Sequence, residues 1–202
     1  MKNTAARRTT VVRLTLLAML TALLIVLGFV NIPQPAGLSI TFNMIPVAIA
    51  AIAMGVPGGA IIGGVFGLIS FLQCFGLVGY SAMGAALVSV SPVMMFIQRF
   101  VSRVLVGVLT ALVYRAMDKR NVKLHVSCTV AGFSAAFFNT LFFMSLLVLL
   151  FGHTDYLQGL MAGRSVLAFI AASVGINAVV EMIVAALVTG AVGVALKKAR
   201  LI

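Results

Sequence analysis

Two arginines, Arg99 and Arg103, lie four residues apart in the apolar run MFIQRFVSRVLVG, and Glu181 follows Asn177 by the same interval in GINAVVEMIVAALV. A further amide, Asn139, interrupts the run AAFFNTLFF. A spacing of four places two residues on one face of a helix. A guanidinium holds a carboxylate or phosphate through two parallel N–H donors. A carboxylate pairs with a second guanidinium, and amides serve the hydroxyls and amides of a ligand. The chemistry on offer is recognition of a small anion. Catalysis has little to work with. The acids are Asp118, Asp155 and Glu181 alone, too few for a two-carboxylate site within a membrane. The sequence has no GxxxxGK[ST] phosphate loop, no HExxH, no GxSxG and no Cys/His cluster for zinc. We therefore expect no enzyme, no cofactor and no metal site. His125 and His153 fall near opposite membrane faces, as do Cys74 and Cys128, so neither pair is expected to meet.

The elements that carry these residues are membrane helices. The chain is 63% hydrophobic and 8% charged, where a soluble domain carries about 25% charged residues. A spanning helix needs about 20 apolar residues. The expected fold is an all-α integral membrane bundle of six transmembrane helices at about 11–30, 42–54, 60–75, 92–117, 126–151 and 166–196, in one domain. Prolines at Pro33, Pro35 and Pro57 and the glycines around them mark the breaks. The net charge of +11 is explained by placement rather than by nucleic acid. Lys2, Arg7, Arg8 and Arg13 precede the first helix. Arg115, Lys119, Arg120 and Lys123 occupy a mid-chain break, and Lys197, Lys198 and Arg200 end the chain. These clusters hold eleven of the fourteen basic residues. Basic residues collect in short cytoplasmic loops. Four crossings then separate the first two clusters and two separate the last pair, so both termini are expected to be cytoplasmic. The outer connections become Asn31–Thr41, Gly76–Ser91 and Gly152–Ser165, the second with room for a short interfacial helix.

Depths follow from a rise of about 1.5 Å per residue. Counted from the outer end of each helix, Arg99 lies roughly 10 Å deep, Arg103 roughly 16 Å, Asn177 roughly 15 Å, Glu181 roughly 21 Å and Asn139 roughly 18 Å. One polar layer from three helices is expected, open to the outside. In the simplest arrangement Arg103 pairs with Glu181, and Arg99, nearer the mouth, is left for a ligand carboxylate or phosphate. Two other readings stand beside this: a purely structural Arg103–Glu181 ion pair, and Arg99 reaching out to lipid headgroups. Gln73, Gln98, Asn43 and Tyr80 are further candidates near the outer ends. Asp155 and Arg164 read as a solvated loop pair. Small residues recur every fourth position: Ala18 and Ala22 in the first helix, and Gly59, Gly63 and Gly67 in the third. This spacing permits close helix approach in lipid.

The segments RLTLLAMLTALLIVLGF and MGVPGGAIIGGVFGLISFLQCFG, within six apolar helices over some 200 residues, resemble the substrate-binding S-component of energy-coupling factor (ECF) vitamin transporters. The resemblance spans essentially the whole chain. It implies a bacterial cell-membrane protein that captures a water-soluble vitamin at the outer face. It also implies docking through Ala18 and Ala22 onto a membrane scaffold, EcfT, driven by two separate ATPase subunits. The segments FGLISFLQCFG, RFVSRVLVG and GINAVVEMIVAALV look most like the pantothenate (PanT-like) branch. Pantothenate is a small carboxylate with hydroxyls and an amide, suited to Arg99 with Asn139, Asn177 and Gln73. Folate is also anionic, but no aromatic cluster for a flat ring is evident, and the chain has no Trp. A self-sufficient ion-coupled transporter, with Glu181 as proton site, is the rival expectation. It would ordinarily show an internal repeat, and none is seen.

Overall fold

In the computed structural model, backbone is described for residues 2–30, 32–33 and 39–199, and side chains for 10–30, 41–165, 168–169, 175 and 178–199. The side chain of Asn177 and most of the connection Asn31–Thr41 therefore lie outside the described residues. The helices are α1 (Lys2–Phe29), α2 (Met44–Leu72), α3 (Ala82–Val88), α4 (Pro92–Lys119), α5 (Leu124–Phe151), α6 (Asp155–Met161) and α7 (Val166–Lys198). Five of them are long and apolar enough to cross a membrane. Two two-residue strands, β1 (Ile32–Pro33) and β2 (Ser39–Ile40), pair antiparallel between α1 and α2, with Ile32 opposite Ile40. A short 3₁₀ turn, Gln73–Phe75, extends α2.

The helix termini follow local chemistry. Ser81, Ser91, Thr154 and Ser165 cap α3, α4, α6 and α7 by accepting from the backbone N–H three residues on, the usual way of satisfying a free helix donor. The seven-residue α6 stands in the last connection, where a loop without structure was expected. Its Thr154-Asp155 start, a capping hydroxyl followed by an acid, is an N-terminal signal.

The sequence separates residues 42–54 and 60–75 by a loop at Gly55–Gly59, whereas the structure interrupts helical geometry only at Gly55 (φ 68°, ψ −153°). Pro57 falls in the first turn of the helical segment after Gly55, where a missing N–H costs nothing. The break is nonetheless sharp. A Cβ on Gly59 would lie 3.3 Å from the Cβ of Ala51, and one on Gly58 would lie 2.8 Å from the carbonyl oxygen of Ala50. Residues eight apart in a straight helix are about 12 Å apart. The chain therefore bends back at Gly55, and α2 is two packed arms, 44–54 and 56–72. Only glycine adopts this backbone conformation readily.

The second arm carries the glycine series, and the series faces α4. A Cβ on Gly59 would overlap the Gly107 carbonyl, and one on Gly63 the Arg103 carbonyl. On Gly67 it would lie 2.8 Å from the Phe100 Cα. The two backbones thus touch along three turns, as small residues permit in lipid. On α4, Gln98, Arg99, Ser102, Arg103, Val106 and Thr110 are buried, while Met94, Ile97, Val101, Leu105 and Leu112 are exposed. This helix turns its polar face to the protein and its apolar face to lipid. Two apolar clusters bracket that polar face. One joins Leu20, Leu24, Val47, Ile62, Phe66 and Val106. The other joins Cys74, Met83, Leu87, Met144, Phe151 and Leu157 and covers the opposite end with α3 and α6.

Candidate functional site

Arg99 and Arg103 sit where the two apolar clusters meet, 6% and 5% exposed. Arg99 donates from Nη1 to Ser70 Oγ (3.1 Å) and from Nη2 to Ser81 Oγ (3.1 Å). Arg103 donates from Nη1 to Ser102 Oγ (2.9 Å), whose own hydroxyl donates to the Gln98 carbonyl (2.6 Å). Both guanidiniums lie on the ring of Phe143 in α5, at 5.2 Å for Arg99 and 5.0 Å for Arg103, and Arg103 also lies 5.0 Å from Phe66. Gly84 leaves room for this packing. A Cβ there would stand 2.6 Å from Cys74 Sγ and 3.1 Å from Arg99 Nη2. Arg99 is therefore not an anchor reaching to the lipid surface; its head is enclosed by α2, α3 and α5.

The expected Arg103–Glu181 ion pair does not form. Among the described residues no carboxylate lies within 4.0 Å of either guanidinium. Glu181 Oε1 instead accepts from the backbone N–H of Thr41 (2.8 Å). It ties the end of the α1–α2 connection to α7. The physical reason is competition. A backbone donor at a chain reversal needs an acceptor, whereas Arg103 already has the Ser102 hydroxyl and the rings of Phe66 and Phe143. The Nε–H groups of both arginines are buried without a hydrogen-bond partner, as are Gln98 Oε1, Asn139 Oδ1 and both side-chain polar atoms of Asn43. A buried polar group left unpaired costs about 1–3 kcal/mol, more when charged.

The remaining candidates divide. Asn139 is one turn from Phe143 on the same face of α5, with its Oδ1 buried and unpartnered. Asn43, 1% exposed, stands two residues after the Glu181-bound Thr41. Gln73 donates to the Gly28 carbonyl (3.0 Å); that bond joins α2 to α1 and takes its donor away from the arginines. Tyr80 is 65% exposed and takes no part in the buried layer. Ala18 and Ala22 are both exposed on α1, among the exposed Leu14, Met19, Leu23, Ile25 and Val26. Reasoning from depth alone missed Ser70, Ser81, Ser102, Phe66 and Phe143. Of these only Phe143 carried a signal, its spacing of four from Asn139.

Two buried cations, with no carboxylate within 4.0 Å of either among the described residues, are thus enclosed by helices long and apolar enough to cross a membrane. A model of the family described as ECF transporter, substrate-specific component, matches residues 12–193. The chain belongs to that family. It is a multi-pass membrane protein and the substrate-specific subunit of an ECF transporter, a transporter family rather than an enzyme family. The family implies an ECF module, with EcfT and ATPases, as partner. No curated protein sequence matches the chain. Among the described residues, the buried arginines form a cluster drawn from several helices. The polar face of α4 supplies the charge, α2 and α3 the hydroxyls, and α5 the aromatic floor.

Proposed function

We propose that this substrate-specific component captures a small, flexible monocarboxylate vitamin, pantothenate above others, at Arg99 and Arg103. The observation that carries this reading is the pair of buried Nε–H donors with no hydrogen-bond acceptor, neither guanidinium having a carboxylate within 4.0 Å among the described residues. A ligand carboxylate bound side-on to Nε and one Nη would give the guanidinium a bidentate partner. Asn139 and Gln98 each retain a buried oxygen able to accept from the ligand's hydroxyl or amide groups. Both faces suited to stacking, Phe66 and Phe143, are taken by guanidiniums, which leaves a flat pterin such as folate less well served. Capture takes place at the outer face of a bacterial plasma membrane. Delivery inward requires the scaffold EcfT and two ATPases, docked through the exposed small residues Ala18 and Ala22 of α1.

Calorimetric titration of the detergent-purified chain with pantothenate, folate and a neutral vitamin tests the ligand class. Saturable binding of pantothenate, absent for the neutral compound, supports it, while binding of folate alone replaces pantothenate as cargo. Binding of none by a folded protein would remove the anion site. Reconstitution of the chain alone in vesicles tests the mode of transport, because uptake without ATPases would favour an ion-coupled carrier.

A further inference from the structure

Asn43 precedes the first residue of α2, a position where asparagine ordinarily accepts from a backbone N–H of the first turn. Here it makes no such cap, and its own backbone is already helical (φ −62°, ψ −14°). The side chain is 1% exposed, and both Oδ1 and Nδ2 are buried without a hydrogen-bond partner. An amide in that state weakens the empty protein twice, as donor and as acceptor. Leucine, with the same branched shape and no polar atom, would serve packing better. The surroundings of Asn43 follow from the first arm of α2. Ile52 shares an apolar cluster with Cys128 and Ala131 of α5, whereas Met44 and Val47 share another with Ala135, Phe138 and Phe142. The arm therefore runs antiparallel along α5, and its start falls at the turn of α5 that holds Asn139. That turn is adjacent to Phe143, the ring on which both guanidiniums lie. Two residues before Asn43, the Thr41 N–H is fixed to Glu181 of α7.

The unpaired atoms of this layer differ in kind. Arg99 and Arg103 offer charged Nε–H donors, while Gln98 and Asn139 offer only oxygens. Asn43 adds an uncharged N–H donor, Nδ2. The unpaired hydroxyls of Thr110, Thr129 and Thr189 lie about two turns or more nearer the α4–α5 turn than Arg103, Asn139 and Glu181 on their respective helices. A carboxylate suits the charged donors, a ligand hydroxyl or N–H suits the oxygens, and an uncharged carbonyl suits the neutral donor. We propose that Asn43 selects ligands that carry an amide carbonyl beside their carboxylate. Its Nδ2–H donates to that carbonyl, and its Oδ1 accepts from a ligand hydroxyl or N–H. The inference rests on the reading that the arginines hold a vitamin carboxylate, and it adds the substrate class: an N-acyl amino acid, of which pantothenate is one. A carboxylate without the carbonyl is rejected, because binding it would leave the Asn43 donor buried and unpaired.

Calorimetric titration of the full detergent-purified chain with pantothenate tests the proposal, on the native protein, Asn43→Leu and Asn43→Ala, with the thermal midpoint of each measured without ligand. Asn43→Leu should keep or raise the midpoint of the empty protein, because an unpaired amide is removed, and should weaken pantothenate binding about tenfold or more. Asn43→Ala should weaken it similarly, which separates loss of the amide from crowding by leucine. The carboxylate 6-hydroxyhexanoate, which has a hydroxyl and no amide carbonyl, should compete about a hundredfold more weakly than pantothenate for the native chain. That gap should narrow about tenfold in Asn43→Leu. Pantothenate bound by Asn43→Leu within about threefold of native, or an unchanged gap, would overturn this assignment and leave the arginine site standing. A midpoint lowered by several degrees in both variants would make Asn43 a support of the fold and overturn it equally. A native chain that binds no pantothenate would overturn the vitamin reading and this inference with it.

Discussion

Replacing Arg99 with methionine separates a ligand-binding arginine from a structural one, because the two roles predict opposite changes in stability and affinity. In the ligand-free protein the side chain makes two hydrogen bonds to hydroxyls and one contact with an aromatic face. At about 1.5 kcal/mol for each bond from a charged donor and about 1 kcal/mol for the ring contact, the loss is about 4 kcal/mol. Removing a charge from the membrane interior returns about 2.5–3.5 kcal/mol. Methionine is unbranched and fills much of the vacated space. The hydroxyl of Ser81 still accepts from the Gly84 N–H at 3.2 Å. The net effect of Arg99→Met on the empty protein is therefore small, about 1 kcal/mol. Ligand affinity behaves differently. A bidentate carboxylate pair worth about 3 kcal/mol corresponds to a fall of more than a hundredfold in binding. The assay is a pair of measurements on one preparation: the thermal midpoint in detergent without ligand, and the dissociation constant for pantothenate by calorimetry. A variant that binds within threefold of the native protein, or one that fails to fold, would refute the reasoning. The first result would place the anion elsewhere, and the second would make Arg99 a keystone of the bundle.

Three further outcomes rest on the same geometry. Gly63→Ala should lower stability by about 1–3 kcal/mol through overpacking against the Arg103 carbonyl, whereas Gly64→Ala, whose Cβ would meet the Phe100 ring at 3.6 Å and the Val104 Cγ2 at 3.7 Å, both ordinary contacts, should leave the thermal midpoint nearly unchanged. Glu181→Ala should release bound ligand about tenfold faster by detaching Thr41 from α7, and Glu181→Gln, which keeps a side-chain oxygen as acceptor, should release it at close to the native rate; stopped-flow dissociation distinguishes the two. Ala22→Leu should abolish uptake in vesicles carrying the full ECF module while leaving the affinity of the isolated chain intact, since the exposed small face of α1 would be crowded.

Much of the fold was legible because the bilayer imposes coarse rules. Apolar length marked the spans, and the start of α4 at Pro92, the end of α5 at Phe151 and the start of α7 at Val166 fall where hydropathy put them. The break in α2 was placed correctly but given the wrong shape. Pro57 and its neighbouring glycines signal a loop, yet a proline in the first helical turn does no harm, and Gly55 alone makes the reversal. The arginines were legible as a pair, being the only basic residues between Arg13 and Arg115. Their partners were not. Depth along a helix orders residues in one dimension only. It put Glu181 near Arg103 in height but said nothing of Thr41, 140 residues away in sequence, whose backbone N–H takes the carboxylate. Nor did it reveal that Ser70 and Ser81 would hold Arg99, because single serines in apolar runs are common and carry no periodic signature.

The glycine series shows how packing and site are one arrangement rather than two. Gly63 and Gly67 meet α4 at the backbone of Arg103 and of Arg99–Phe100, the turns that bear the guanidiniums. Backbones in contact place Phe66, between those glycines in sequence, close enough to lie under the Arg103 head. They also bring Ser70, one turn beyond Phe66 on the same face, within reach of Arg99. A side chain at Gly63 would push the helices apart, and these distances are set by that separation. Loss of stability and loss of ligand affinity should therefore appear together in Gly63→Ala, whereas Arg99→Met should lose affinity alone. That difference, if measured, would identify the α2–α4 contact as the support of the site and the guanidinium as the group that meets the ligand.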